Sequence, residues 1–367
     1  VPGLFLFYGG LVSSRNVLSV AAQCLSLTAM GILMWWMFGY SLVFGKSFAE
    51  TGSILQHLFG GIEFVAFKNT GIEPSPYEPR IFAGSFALFQ AMFAAITPAL
   101  IIGAVAERMK FTAVMLFSFL WSVFVYYPTA HAVWGATGDM AALANEGSAF
   151  KSIDFAGGIV VHMSSGWSAL LLCMMVGPRL GFGRRPMPPH SMVLCVLGTG
   201  LLWTGWYGFN AGSALSMDGI AFQAFLTTTL SASSALLAWA FVERMHRGKP
   251  SVLGLCSGAV AGLATITNAA GFVSGTSAVF IGLLGGSLSY WSCSFLKPKF
   301  GYDDALDTFG VHGVGGTIGA LATAILVDPK IHSGAAPLLE KGLFKGQLTA
   351  MISCIALSLA GTWVITK

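Results

Sequence analysis

Charge is scarce in this chain. Only 9% of its 367 residues are Asp, Glu, Lys or Arg, against about 25% in soluble domains, whose surfaces must face water. That shortfall excludes a soluble fold. The six cysteines (Cys24, Cys173, Cys195, Cys256, Cys293 and Cys354) lie in apolar stretches with no Cys-x-x-Cys spacing. They read as small buried hydrophobes and offer no zinc or disulfide framework. No run of basic residues with interleaved aromatics suggests nucleic acid. No nucleophile–base set or cofactor motif suggests an enzyme or a bound cofactor.

What fills the chain instead is hydrocarbon: 55% of residues are hydrophobic, in long runs. Backbone amides in lipid must be satisfied internally, so the expected fold is an all-α polytopic membrane bundle in a lipid bilayer. Spans of about 20 apolar residues can be marked at 17–45, 83–106, 112–136, 155–177, 190–212, 219–243, 252–267, 276–296, 305–327 and 346–366. The opening segment, 1–12, is apolar but only about half a span long, and carries neither a basic leader nor a cleavage site. It is expected to be the inner half of a first helix that begins upstream. The total is then eleven helices in a single membrane domain over 1–367, with a cytoplasmic tail or domain expected beyond Lys367.

Basic residues in short loops fix the expected orientation. One side collects Arg15, Arg108, Lys110, Arg179, Arg184, Arg185, Arg244, Arg247, Lys249, Lys297, Lys299 and Lys367. The other holds Lys46, Lys68, Arg80, Lys151, Lys330, Lys341 and Lys345, mostly in longer loops containing Asp and Glu. The first side reads as cytoplasmic, with the N-terminus outside and the C-terminus inside the cell membrane. Asp303, Asp304 and Asp307 precede the tenth helix, where capping and pairing with Lys297 or Lys299 are the simplest roles.

Two ionisable residues fall deep within spans, where burial is costly and usually functional. His162 belongs to the fifth helix and His312 to the tenth. Counting halves as helices one to five and six to ten, each histidine is in the last helix of its half. Five is odd, so the halves run in opposite senses, an inverted repeat of the kind transporters build around a midplane site. Glycines beside both histidines permit close backbone approach, so the imidazoles could meet on the bundle axis. Packed polar residues or metal ligands are the competing roles. Two imidazoles without Cys, Asp or Glu at their depth fall short of a usual ligand set.

Several strings now combine: Pro2-Gly3-Leu4, Phe7-Tyr8-Gly9-Gly10-Leu11-Val12, Arg15-Asn16-Val17-Leu18-Ser19, Gly103-Ala104-Val105-Ala106-Glu107-Arg108, Asp154-Phe155-Ala156-Gly157-Gly158, Gly208-Phe209-Asn210-Ala211-Gly212-Ser213 and Asp307-Thr308-Phe309-Gly310-Val311-His312-Gly313. In order along the chain, they resemble the signature segments of the ammonium transporter/Rh family. The resemblance implies a fold of eleven helices with a 5+5 inverted repeat, a homotrimer with one pore per subunit, and ammonium or methylammonium as substrate. By it, His162 and His312 match a twin-histidine pore pair, and Trp134 with Ser213 matches an external recruitment site flanked by Phe89 and Phe93. Phe93 and Phe209 match a stacked phenyl gate. Asp154 matches an aspartate that stabilises the site without touching the ion, and it could also cap the fifth helix. The cytoplasmic loop from Arg179 to His190 matches a surface on which a PII-type regulator can dock, and reads equally as a positive-inside anchor.

Two residues depart from the family pattern. Asn268 stands where proline is common, and Trp167 is bulkier than usual; it would narrow the inner pore if it faced the lumen. Three functions fit the fold. The first is ammonium conduction, as ammonia with or without a separately relayed proton. The second is an ammonium sensor driving a cytoplasmic signalling domain, and the third a pore for another neutral gas. Trp134 and Ser213 argue against the last.

Overall fold

The computed structural model describes residues 1–367 and consists of helices and loops, its only β pairing being two isolated bridges. Nine helices are long and apolar enough to cross a membrane: α2 Ser14–Phe44, α3 Ala83–Val105, α4 Phe111–Trp134, α5 Gly158–Val176, α6 Met192–Ala214, α7 Gly219–Arg247, α9 Gly275–Phe300, α10 Phe309–Leu326 and α11 Leu343–Thr366. Two shorter apolar helices, α1 Pro2–Leu11 and α8 Val252–Ile266, complete the expected eleven. The chain is a multi-pass membrane protein. The helices alternate in direction, so their ends form two faces: a basic face bearing Glu107, Arg108 and Arg179, and an opposite face where a vestibule opens.

Some boundaries differ from the apolar pattern, each for a backbone reason. The fifth helix begins at Gly158 rather than near 155, because 153–157 forms a capping loop in which Gly157 takes φ 109°. The tenth begins near 309 rather than 305, because Asp307 is held at φ 60°. α7 continues past 243 to Arg247, where Gly248 at φ 83° ends it.

The inverted repeat is visible in the hydrogen bonding. In α4 the amide of Tyr127 reaches back five residues to Ser122 O, and in α9 Lys297 does the same to Ser292 O. Pro128 and Pro298 follow one residue later in each helix. A proline removes one amide and crowds the preceding turn, and a wide π-turn relieves both. α5 and α10 carry matching wide turns, closed by Ser164 N to Ile159 O and by Val314 N to Phe309 O. In both helices a histidine, His162 or His312, stands two residues before the closing amide.

α5 and α10 cross with almost no side chain between them. A Cβ on Gly166 would overlap the Gly313 backbone nitrogen, and one on Gly316 would lie 2.9 Å from His162 Cβ and from Gly158 O. Small residues permit this approach, and lipid offers no opposing hydrophobic drive.

The basic face is tied by ions. Asp303 accepts from Arg179 Nη2 at 2.8 Å and Arg179 Nε at 2.9 Å, and pairs with Arg108 Nη1 at 3.1 Å. Arg179 also reaches Glu107 at 3.5 Å. Burial alone would raise the Asp303 carboxyl, but Arg179 and Arg108 hold it below its ordinary value. Pairing with lysine, the simplest reading of the acidic cluster, holds only for Asp307, 2.5 Å from Lys297. Asp303 prefers the arginines because a planar guanidinium can meet both carboxylate oxygens.

Gly166→Ala should therefore lower the thermal midpoint in detergent, since overpacking costs about 1–3 kcal/mol. Gly200→Ala, whose Cβ would meet nothing within 4 Å, is the matched control. Equal melting of the two variants would show that the α5–α10 crossing is loose.

Candidate functional site

The site is a path through the bundle with two chambers. The first is a vestibule of about 520 Å³ whose wall includes Phe89, Phe93, Trp134, Asp154 and Ser213. The second is a narrow cavity of about 20 Å³ around His162, Trp206, Phe209 and His312, room for little more than one water-sized molecule. Phe93 lines the first and Phe209 the second. Their rings meet with centroids 4.5 Å apart at 41°, tilted rather than stacked in parallel. These two phenyls form the partition.

The sequence-predicted site residues converge. Phe89 and Phe93, four residues apart on α3, present their rings to one another at 5.0 Å. Trp134, at the end of α4, lies edge-to-face against Phe93 at 5.7 Å. Its indole N–H donates to Asp154 O at 2.9 Å, which satisfies its one donor and fixes the ring. Ser213 donates its hydroxyl proton to Phe209 O at 2.8 Å, so its oxygen lone pairs stay free to accept.

Asp154 is a buried cap. Oδ1 accepts from Gly157 N and Gly158 N at 2.7 and 2.8 Å, and Oδ2 from Ile159 N and Val160 N at 3.0 and 2.9 Å. All four orphan amides at the start of α5 are thereby satisfied. With both oxygens spent, the carboxylate supports Trp134 through its main chain. Neighbouring Ile153 is clasped from both sides. Gln347 of α11 pairs with its N–H and C=O at 2.8 and 2.9 Å, and Asn268 Nδ2 donates to the same C=O at 2.8 Å. The Asn268 clasp also reaches Thr323 Oγ1 at 2.8 Å.

Below the phenyls, His162 Nδ1 and His312 Nδ1 are 3.2 Å apart, with the rings at 20°. A hydrogen bond between two such nitrogens needs one proton between them. One imidazole is then the Nδ1–H tautomer and the other the Nε2–H tautomer, giving one bare Nε2 and one Nε2–H. His162 Nε2 has no protein partner.

Sequence reasoning missed Trp206, and it read Asp304 as a cap without pairing it with Asp154. Trp206 stacks on His162 at 5.4 Å and 20°, and is held by Trp206 Nε1 to Thr267 Oγ1 at 2.9 Å. Its position three residues before Phe209, on the same helical face, was the available signal. Asp304 is the counterpart of Asp154, accepting from Thr308 N and Phe309 N at 3.0 and 2.7 Å. Each aspartate precedes its histidine by the same spacing, Asp154 to His162 and Asp304 to His312, so the repeat was legible as two Asp-x7-His segments. Trp167 stays out of the lumen: it packs edge-on against Phe309 at 5.1 Å, and its Nε1 donates to Thr317 Oγ1 at 3.2 Å. Of the other histidines, buried His131 bridges Val43 O and Gln56 O at 2.8 and 2.9 Å, a structural staple.

Residues 1–367 match the model of the Ammonium Transporter Family. The chain is 44% identical to an ammonium transporter of Bacillus subtilis over 365 residues, covering 99% of this chain and 84% of that protein. The crystal structure of Saccharomyces cerevisiae Mep2 superposes with a TM-score of 0.88 at 34% identity, covering 99% of this chain and 83% of that one. A sensor Amt protein superposes with a TM-score of 0.85 at 28% identity, covering 99% and 87%.

Asp154→Ala strands four amides at a buried helix start, each costing about 1–3 kcal/mol. Little folded protein should survive detergent extraction and size-exclusion chromatography. A monodisperse Asp154→Ala protein with wild-type melting would remove the cap from the structural role given to it.

Proposed function

The chain belongs to the ammonium transporter family, and from its two-chambered path we propose that it moves ammonium by recruiting the cation in the vestibule and passing ammonia through the histidine-lined cavity. The partition between the chambers carries this reading. A vestibule walled by aromatic rings leads to a cavity with room for about one small neutral molecule.

Ammonium is strongly hydrated, and taking the bare ion into hydrocarbon costs far more than a site can return. The faces of Phe89, Phe93 and Trp134 replace part of its water by cation–π attraction, worth about 2 kcal/mol when desolvated. Ser213 Oγ accepts one N–H. Passage between Phe93 and Phe209 requires those rings to rotate, and the dry cavity beyond favours the uncharged molecule. There the paired imidazoles offer ammonia both an acceptor and a donor, so it can be handed on without water. The same pair can relay a proton by exchanging tautomers. The vestibule end is the outside in this reading, because the basic loops collect on the other face. A homotrimer uses the exposed apolar helix faces, and Arg184 and Arg185, exposed on the basic face, are the natural docking point for a PII-type regulator.

The test is ammonium-evoked current or uptake in proteoliposomes. Trp134→Leu combined with Ser213→Ala should raise the half-saturating concentration about tenfold or more, given the cation–π strength at stake. His162→Ala and His312→Ala should change conduction with little change in melting. Saturation unaltered by the vestibule double variant would remove the cage. Ammonium binding without any flux in the wild type would make the protein a sensor instead.

A further inference from the structure

Between α2 and α3 the chain makes a short turn, Ile54–His57. The loop that carries it starts at the vestibule, whose wall includes Phe44, Lys46 and Phe64. Ile54, Leu55 and Leu58 are 83%, 44% and 47% exposed, so apolar packing does little to hold the turn. Its amides bond locally: Gln56 N to Ser53 O, Leu58 N and Phe59 N to Leu55 O, and Gly60 N to Leu42 O. Every hydrogen bond from residues 48–60 to a residue outside 42–60 runs through a histidine. His57 Nδ1 meets Asp139 Oδ2 at 3.0 Å, and Gln56 O meets Nε2 of His131 at 2.9 Å.

His131, near the end of α4, spends both ring nitrogens on carbonyls. Its Nδ1 lies 2.8 Å from Val43 O, in the last turn of α2, while Nε2 takes Gln56 O. A carbonyl only accepts, and a neutral imidazole carries one N–H. The neutral ring therefore satisfies one of the two oxygens and turns a lone pair to the other. A second proton makes both nitrogens donors and closes both contacts. No amide offers relief: Ser47 N goes to Glu63 Oε1, Phe48 N to Gly60 O, and Gly60 N to Leu42 O. α2 and α4 both present their carbonyl ends here, where a positive ring is accommodated. The His57–Asp139 contact changes in the same sense, because it is an ion pair only when the imidazole is protonated. Being exposed, it contributes less.

We propose that residues 46–60 form a proton-linked flap at the rim of the vestibule, clasped by His131 and His57 and loosened when they lose a proton. The flap stands whatever passes through the pore. Linkage fixes the sign: the closed flap gains ties when the rings are protonated, so it binds protons more tightly than the freed flap. It is tightest in acid and is released as pH rises. The other charged groups around the clasp are already engaged. Asp139 serves His57, and its charge also reaches His131. Lys46 pairs with Glu50 at 3.4 Å. Glu63 is spent on Lys46 N, Ser47 N and the Ser47 hydroxyl, and the Tyr77 hydroxyl joins Phe44 O to Ala136 N.

The experiment follows deuterium uptake by residues 46–60 of the whole protein in lipid nanodiscs between about pH 5 and pH 8, where histidines change charge. Uptake is corrected for the intrinsic pH dependence of amide exchange. Wild-type protection should fall about tenfold as pH rises, the scale of a hydrogen bond to a charged group. His131→Asn, whose amide can still donate to Val43 O, should leave the flap weakly protected at every pH. His57→Gln should lose a smaller part, and the double variant should show no pH dependence. Wild-type protection that is flat with pH, or a pH dependence that survives in the double variant, would overturn the proposal. If His131→Asn does not fold, the nitrogen-15 resonances of labelled histidine in the wild type decide. A His131 ring that gains its second proton over the range in which the flap closes supports the clasp; one that stays neutral throughout overturns it.

Discussion

Gly166 of α5 and Gly313 of α10 lie backbone to backbone, and Gly316 lies against Gly158 and His162 in the same way. Everything at the centre of the bundle depends on that approach. Only when the two helices touch can their wide turns face one another and bring imidazoles from positions 150 residues apart to within 3.2 Å. The wide turns have their own cause: each gives up regular α-helical bonding around a histidine, and each is anchored upstream by an aspartate collecting the free amides. Caps, π-turns and glycine contacts form one unit, built twice and inverted.

Along the path, the handling of polar groups changes with depth. In the vestibule, most polar side chains are committed to holding the loops, so the wall that remains is mainly aromatic faces with a few oxygens. On the proposed reading this restraint matters, because a recruited cation must be attracted enough to shed water but not so strongly that it stays. At the phenyl partition no polar side chain intervenes. Beyond it, the cavity is mostly apolar; Tyr8, Ser257, Asp307 and Thr308 also line it, and the paired imidazoles can offer both a lone pair and an N–H. Trp206 makes one wall and keeps His162 in plane by stacking on it. The basic face closes the other end with Asp303 shared between Arg108 and Arg179, linking the ends of α3, α5 and the approach to α10.

Much of this was open to a reader of the sequence. The scarcity of charge required a membrane fold, and the apolar runs located the helices to within a few residues. Two histidines in opposed halves pointed to each other, and the family resemblance named the aromatic residues that gather at the vestibule. The misjudged boundaries have one cause: apolar composition does not register the left-handed residues Gly157 and Asp307 that delay the starts of α5 and α10. The partner of Asp303 was misjudged for a similar reason. Lys297 and Lys299 are near in sequence, whereas Arg179, 124 residues away, is the group that arrives.

By itself, then, the sequence determined the solvent the protein lives in, the number of its helices and the residues that could not be in lipid without a purpose, because those follow from transfer free energies counted along the chain. It also held the repeated Asp-x7-His spacing, since a cap and the turn it supports are local. Tertiary structure decided which further polar groups are engaged. Asp154 and Ser213 are claimed by backbone groups a few residues away, but Tyr77 is claimed by Phe44 O and Ala136 N from distant segments. It also decided that Trp167 turns to Phe309 and Thr317 rather than into the lumen. A hydrogen bond saturates, so the chemistry left at a site is what remains after the fold has taken its share.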